Sequence, residues 1–385
     1  MPAEAARLPD PAFWRGRRVL LTGHTGFKGS WLALWLLRLG ADVMGVSLEP
    51  PTSPALYAQL QLASLAEQGD PRLPGRLRDR RCDLRDGAAL RDLVDEQRPQ
   101  LVLHLAALAL VREGYRDPLG SWSTNVMGSL QLLEAVRRLA EPCAVVVVTT
   151  DKVYANGERG EPFREDDPLG GHDPYSSSKA ALELAVASWR LSYCGRAPHQ
   201  NPGLVLATAR AGNVIGGGDW GPERLVPDAI RALQQGQPIV LRNPRSVRPW
   251  QHVLDPLAGY LLLAEQLSLS LEPGLEPPAV FPESLNFGPD GADQRSVEEL
   301  VEELLRHWPG SWRAVREAQA PRESERLLLD ATRARQRLGW RPRWDFAEAV
   351  GQTVRWYRAV DQGRPALELC LSQLQAYEAA GAEAC

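Results

Sequence analysis

Apolar runs punctuate the first half of the chain: RVLLTG, DVMGVSL, LVLHLAA, AVVVVTT and GLVLATARAGNVIG. Each is short and almost continuously apolar, the pattern of a strand buried on both faces of a parallel sheet. Between them lie WLALWLLRLG, AALRDLVDEQ, NVMGSLQLLEAVRRLA and SSSKAALELAVASWRLSY, whose apolar positions recur with a helical period. Strand and helix in alternation predict an α/β fold, a doubly wound parallel sheet covered on both faces. After about residue 204 the pattern changes. Gly, Pro and Arg become dense in GNVIGGGDWGP and LRNPRSVRPW, and the Pro-rich LEPGLEPPAVFPES reads as a surface loop. Short helices are expected at 296–307 and around 345–360. The expected organisation is a dinucleotide-binding sheet domain over 1–203, with a later segment near 239–268. A smaller C-terminal lobe, from 204–238 and 286–385, is expected to hold the substrate over the carboxyl ends of the strands.

Composition narrows the class. The chain has 385 residues, 44% hydrophobic and 24% charged, with a net charge of −4, so neither nucleic acid nor an anionic membrane is an expected partner. The apolar runs are too short to span a bilayer, and MPAEAARLPDPAFW lacks the basic start and apolar centre of a secretory signal. Cysteines at 82, 143, 194, 370 and 385 form no C-x-x-C pair and fit free thiols, so a cytoplasmic location is expected and no metal site is assigned.

The first strand leads into Gly23, Gly26 and Gly29 at G-x-x-G-x-x-G spacing, followed by a helix. Glycine permits the tight turn and the close approach of backbone amides to a pyrophosphate, and the helix N-terminus favours the anion. A dinucleotide is the expected ligand. The second strand should end beside its adenosine ribose. No Lys or Arg occurs from Ser47 to Asp70 and Glu49 adds negative charge, which favours NAD over NADP; Ser47 stands where an acidic ribose contact is usual.

Tyr175 and Lys179 are spaced i and i+4, on one helix face, just after Pro174. A phenol is a poor base near neutrality, and an adjacent ammonium together with an oxidised nicotinamide would favour the phenolate. Tyr175 could then accept the proton of an alcohol as hydride leaves its carbon, with Lys179 also reaching the nicotinamide ribose. The strand AVVVV ends in Thr150, Asp151 and Lys152, a hydroxyl, a carboxyl and an amine in consecutive positions. Among 44 basic residues only Lys28, Lys152 and Lys179 are lysine, and each falls inside one of these motifs. Arginine can replace lysine on a solvated surface but not where the amine must be compact or lose its proton.

Taken together, FWRGRRVLLTGHTGFKGSW, TTDKVY, REDDPLGGHDPYSSSK, ARAGNVIGGGDW and RNPRSVRPWQHV resemble the nucleotide-sugar dehydratases of the extended short-chain dehydrogenase/reductase superfamily, a likeness that runs to LDATRARQRLGWRPRW. The resemblance implies oxidation at carbon 4 of a nucleotide-linked glucose, elimination of water across carbons 5 and 6, and hydride return to carbon 6. It implies that Thr150 bonds the carbon 4 oxygen and that Asp151 is the acid at carbon 6. It makes Lys152 the base at carbon 5 or, alternatively, a fixed cation that pairs Asp151 or stabilises the enolate. As acid and base, the two need a carboxyl raised and an amine lowered from their usual values, which burial can do. The resemblance places Thr25, Phe27, Asp83, Leu84, Leu105, Ala106 and Ala107 with the glycines around NAD. It places Asn213 near the substrate pyrophosphate and Arg224, Arg248 and Arg322 around the nucleotide. It also implies a homodimer or homotetramer, built on helices at 117–139 and 174–193. His252 is expected to order a loop. Leu108 and Ala109 depart from the family's Gln-Pro after the paired alanines, and Arg322 stands where His is common.

A nucleotide-sugar 4-epimerase or decarboxylase shares the glycine turn and the Tyr–Lys pair but has no use for an adjacent acid and base. An NAD-sensing regulator on the same fold could dispense with Tyr175 and Lys152.

Overall fold

In a computed structural model of the chain, residues 6–157, 160–272, 284–289, 291–315 and 326–380 are described. The centre is a seven-stranded, wholly parallel sheet. Its first six strands are β1 (Arg18–Thr22), β2 (Asp42–Ser47), β3 (Arg76–Arg81), β4 (Leu101–His104), β5 (Cys143–Val148) and β6 (Leu204–Ala211), and Ser284–Phe287 forms one edge. The spatial order runs from that edge strand through β6, β5, β4, β1 and β2 to β3. The order reverses between β1 and β4, and a crevice at the carboxyl ends of the strands opens there.

The apolar runs are continuous because both faces of the sheet are covered. Every residue of β4 and β5 is buried. Helix Phe27–Arg38 packs Trp31, Leu32, Leu34 and Trp35 on one face, together with the helix Leu254–Leu269. Leu132, Leu133, Leu182 and Val186, from the helices Ser129–Arg137 and Pro174–Tyr193, cover the other face.

The sheet does not stop at the boundary drawn from the sequence at residue 203. β6 pairs along its length with β5, and Ser284–Phe287 pairs with β6. The Gly- and Pro-rich loops that suggested a new lobe are the loops at the carboxyl ends of these strands. The segment 239–268 also divides. Ile239–Leu241 leaves the main sheet to pair with Trp312–Ala314, whereas Leu254–Leu269 lies on the main sheet. Over the strand ends sit further short pairs, Val247–Arg248 with Arg295–Ser296 and Gln251–His252 with Val214–Ile215. Helices occupy Val297–His307 and Phe346–Asp361, as expected, and also Thr332–Leu338 and Ala366–Ala379. The Pro-rich segment lies largely outside the described residues.

Candidate active site

The glycine turn is built by close contact. A Cβ on Gly29 would lie 2.0 Å from the Gly23 carbonyl oxygen, and one on Gly23, whose φ is 80°, would lie 2.7 Å from the Ala106 amide. Gly26 is the N-cap of helix Phe27–Arg38 and supplies no side chain, so the first-turn amides face the crevice. This bare cradle against a helix N-terminus fits a pyrophosphate. The cleft continues past Thr25, Phe27, Ser47, Asp83, Leu84, Leu105, Ala106 and Ala107, all predicted cofactor contacts, to the end of β5. Leu108 and Ala109 also line it. Asn125 holds this loop: it accepts from the Leu108 amide at 2.8 Å, donates to the Leu108 carbonyl at 3.1 Å and donates to Ser178 on helix Pro174–Tyr193 at 2.9 Å. Only packing shows Asn125, since no local motif marks it.

Thr150, Asp151, Lys152, Tyr175 and Lys179 meet on one wall of the same cleft. The apolar β5 delivers the first three at its carboxyl end, where a short turn at Asp151–Val153 projects them. Asp173 caps the following helix by accepting from the Ser176 amide, with Pro174 in its first turn, which fixes where Tyr175 and Lys179 begin their face. Thr150 donates to Asp151 Oδ1 at 3.0 Å and lies near enough to the Tyr175 phenol to lower it. Lys152 Nζ lies 3.5 Å from the same Asp151 Oδ1. Asp151 is fully buried, and its Oδ2 has no hydrogen-bond partner among the described residues. A Cβ at Gly212 would fall 1.8 Å from that oxygen, so glycine there makes room for the carboxyl.

The electrostatics differ from the expectation drawn from spacing. Burial pushes the Tyr175 phenol up to about 12, opposed by Thr150 and reinforced by the charge of Asp151. Lys179 is turned the other way: its Nζ donates to the Val148 carbonyl at 3.1 Å, and burial lowers the amine to about 8 against the pull of Glu183. A helical i,i+4 spacing puts two side chains on one face, but it does not set which neighbour the flexible amine chooses. Lys28 is lowered to about 8 too, first by burial and then by Arg224. All three lysines of the chain therefore line one cleft.

Beneath the wall lies a polar layer that sequence reading missed. Glu183, itself i+4 from Lys179, accepts from Thr149, Thr208 and Arg210 at 2.5, 2.7 and 2.8 Å. Arg210 also donates to the Tyr154 hydroxyl at 2.9 Å. A buried ion pair of this kind is kept only when its remaining groups are bonded, and here it anchors the residue next to Thr150.

Of the predicted substrate contacts, Asn213 follows β6 with a φ of 43° and lines the cleft, with Oδ1 buried and unpartnered among the described residues. Arg224 lines it at the start of helix Leu225–Gln234, in an ion pair of 2.9 Å with Asp219. Arg248 lines it and donates to the Val247 carbonyl at 2.9 Å. Arg322 lies outside the described residues. His252 is fully buried between Trp31 and Trp344, its ring held low to about 3 by burial, as suits a packing role.

The model of the NAD dependent epimerase/dehydratase family matches residues 19–274. The CDP-glucose 4,6-dehydratase of Salmonella typhimurium is 42% identical over 373 residues, covering 96% of this chain and 99% of that one. The dTDP-glucose 4,6-dehydratase of Xanthomonas campestris is 31% identical, covering 88% and 92%. Among solved structures, a double mutant of the dTDP-glucose 4,6-dehydratase of Streptomyces venezuelae, with NAD bound, is 26% identical, covers 91% of this chain and 99% of its own, and superposes with a TM-score of 0.70.

Proposed function

The chain belongs to the NAD-dependent epimerase/dehydratase family, and from that premise we propose that it converts CDP-glucose to CDP-4-dehydro-6-deoxyglucose, an early step in supplying deoxysugars for lipopolysaccharide. The observation that carries this reading is the joined cluster of Tyr175, Thr150, Asp151 and Lys152 on one wall. An epimerase needs the tyrosine but not a carboxyl and an amine beside it.

The glycine turn at Gly23, Gly26 and Gly29 and the amides of the following helix would hold NAD, which would supply a hydride acceptor and donor for carbons 4 and 6. The rest falls to the chain. Tyr175 takes the proton of the carbon 4 hydroxyl, held in place by Thr150. The ketone so formed acidifies the hydrogen on carbon 5. Lys152 removes that proton while Asp151 gives one to the carbon 6 hydroxyl, which leaves as water. Lys152 returns a proton to carbon 5 as carbon 6 is reduced. The proton on Tyr175 returns by way of the Thr150 hydroxyl, which donates to Asp151, and restores the acid. The balance is one water lost and no net redox change. Asn213 holds the pyrophosphate, and Arg224 and Arg248 hold the nucleotide.

Incubation with CDP-glucose, alongside dTDP-, UDP- and GDP-glucose, gives a product lighter by one water from CDP-glucose first, with no net reduced cofactor. Stoichiometric NADH, or a product of unchanged mass, overturns the dehydratase reading.

The reading includes a homodimer in the cytoplasm. No described helix is long and apolar enough to cross a membrane. Leu119, Trp122 and Met127, on the segments at 118–128, and Leu184 and Leu191, on Pro174–Tyr193, are exposed large apolar side chains. These fall on the helices expected to form the seam, and apolar surface of this kind marks an association face. Sedimentation at micromolar concentration gives a dimer or larger, and Leu184→Glu with Leu191→Glu gives the monomer. A monomeric parent protein rules the dimer out.

A further inference from the structure

Behind Glu49, which lines the adenosine end of the cleft, stands a cation that a linear reading of the sequence places elsewhere. β2 ends at Ser47, whose register partner on the neighbouring strand is Arg81, the last residue of β3. Ser47 Oγ is 2.7 Å from Thr25 Oγ1, which ties the strand end to the glycine turn. The ribose contact of a dinucleotide falls at the end of this second strand, where an acidic group suits the 2′-hydroxyl and an arginine suits a 2′-phosphate. Both groups are present here and paired to each other. Arg81 Nε donates to Glu49 Oε1 at 2.9 Å.

The arginine is fixed from behind. It is ion-paired with Asp79, donates to the Tyr57 hydroxyl at 3.1 Å, and lies 5.2 Å from the Tyr57 ring centroid. Asp79 also bonds His24 at 2.9 Å, and His24 is buried against Gly45, where a Cβ would come within 2.6 Å of its ring. Among the described residues Glu49 is bonded to Arg81 and not anchored in this way. Its side chain is 77% exposed against 33% for Arg81, and Glu49 lines the cleft. A guanidinium held by Asp79 and Tyr57 is thus paired to a solvated carboxylate that lines the cleft.

We propose that the Glu49–Arg81 pair is the element that selects the dinucleotide: Glu49 occupies the guanidinium and sets a negative charge where a 2′-phosphate would have to lie. Without the Glu49 charge, the same Arg81 receives that phosphate, and NADP enters. The proposal rests on the assignment of this cleft to a dinucleotide and is independent of the sugar.

The test is competition. Purified protein is equilibrated with equimolar NAD and NADP, separated from free cofactor, and the bound pair released and quantified. The parent holds NAD almost alone. Glu49→Gln raises the bound NADP-to-NAD ratio by about tenfold or more, the size of one hydrogen bond to a charged group. Glu49→Gln with Arg81→Gln returns the ratio towards the parent value while NAD is still retained, which shows that the fold of the site survives. A ratio within twofold of the parent in Glu49→Gln overturns the proposal, as does a gain that persists in the double variant. Protein that holds neither cofactor sinks the dinucleotide assignment itself, whatever product the sugar assay gives.

Discussion

Tyr175→Phe abolishes the first oxidation, so that no enzyme-bound reduced cofactor appears on adding CDP-glucose, and turnover falls about 100- to 10,000-fold. The phenol is the group of the cluster that serves the oxidation, and phenylalanine keeps its packing while removing its proton chemistry. Because burial pushes Tyr175 up to about 12, the phenolate is a minor species near neutrality. Its fraction, and with it the rate of the first step, rises as pH rises towards that value. Thr150→Val removes the hydroxyl that lowers the phenol. The acid form then persists to higher pH, and at any fixed pH below the limb the rate is smaller. Absorbance at 340 nm in a single turnover, recorded across pH, checks both variants. A Tyr175→Phe enzyme that forms bound NADH within a few-fold of the parent removes Tyr175 from the role of base.

Lys152→Ala passes the first hydride transfer and stalls at elimination, with turnover reduced about 100- to 10,000-fold, so that reduced cofactor accumulates on the enzyme. Lys152 lies 3.5 Å from Asp151 and is a third exposed, which leaves the amine within reach of both its carboxyl partner and the cleft. Lys152→Arg keeps the charge but cannot give up a proton near neutrality, and is nearly as slow as alanine. Exchange of solvent deuterium into carbon 5 is lost in both variants. An arginine variant that turns over within a few-fold of the parent makes Lys152 a fixed cation, and the base must then be another group of the same wall.

The two variants report on different steps, and that separation follows from the order of the cluster. In the proposed reaction Tyr175 and Thr150 serve the oxidation and Asp151 and Lys152 the elimination. Asp151 joins the halves through one oxygen bonded to Thr150 and shared with Lys152, while its other oxygen has no partner among the described residues.

Much of this was legible in the chain as written. Near-continuous apolar runs separated by helical periodicity determine a parallel sheet with helices on both faces, because burial on two sides leaves no polar alternation. The glycine triplet, the Thr-Asp-Lys strand end and the Tyr175–Lys179 spacing are local in sequence, and local geometry fixes what they build: a cradle, a projecting turn and a shared helix face. What depended on residues distant in sequence could not be read that way. That Arg81 stands beside Ser47 is a matter of strand register, so the absence of a cation from Ser47 to Asp70 described the sequence neighbourhood and not the spatial one. The reach of the sheet through β6 and Ser284–Phe287 came from strand pairing, while the composition of the loops pointed to a boundary at 203. That Lys179 turns to the Val148 carbonyl, and that Tyr175 is held high and not low, came from burial and from neighbours on other elements. Sequence determined which groups the site contains, since covalent order and helical or strand period act over a few residues. Tertiary structure alone decided their charges and partners, since desolvation and cross-strand contact are set by what packs from elsewhere in the chain.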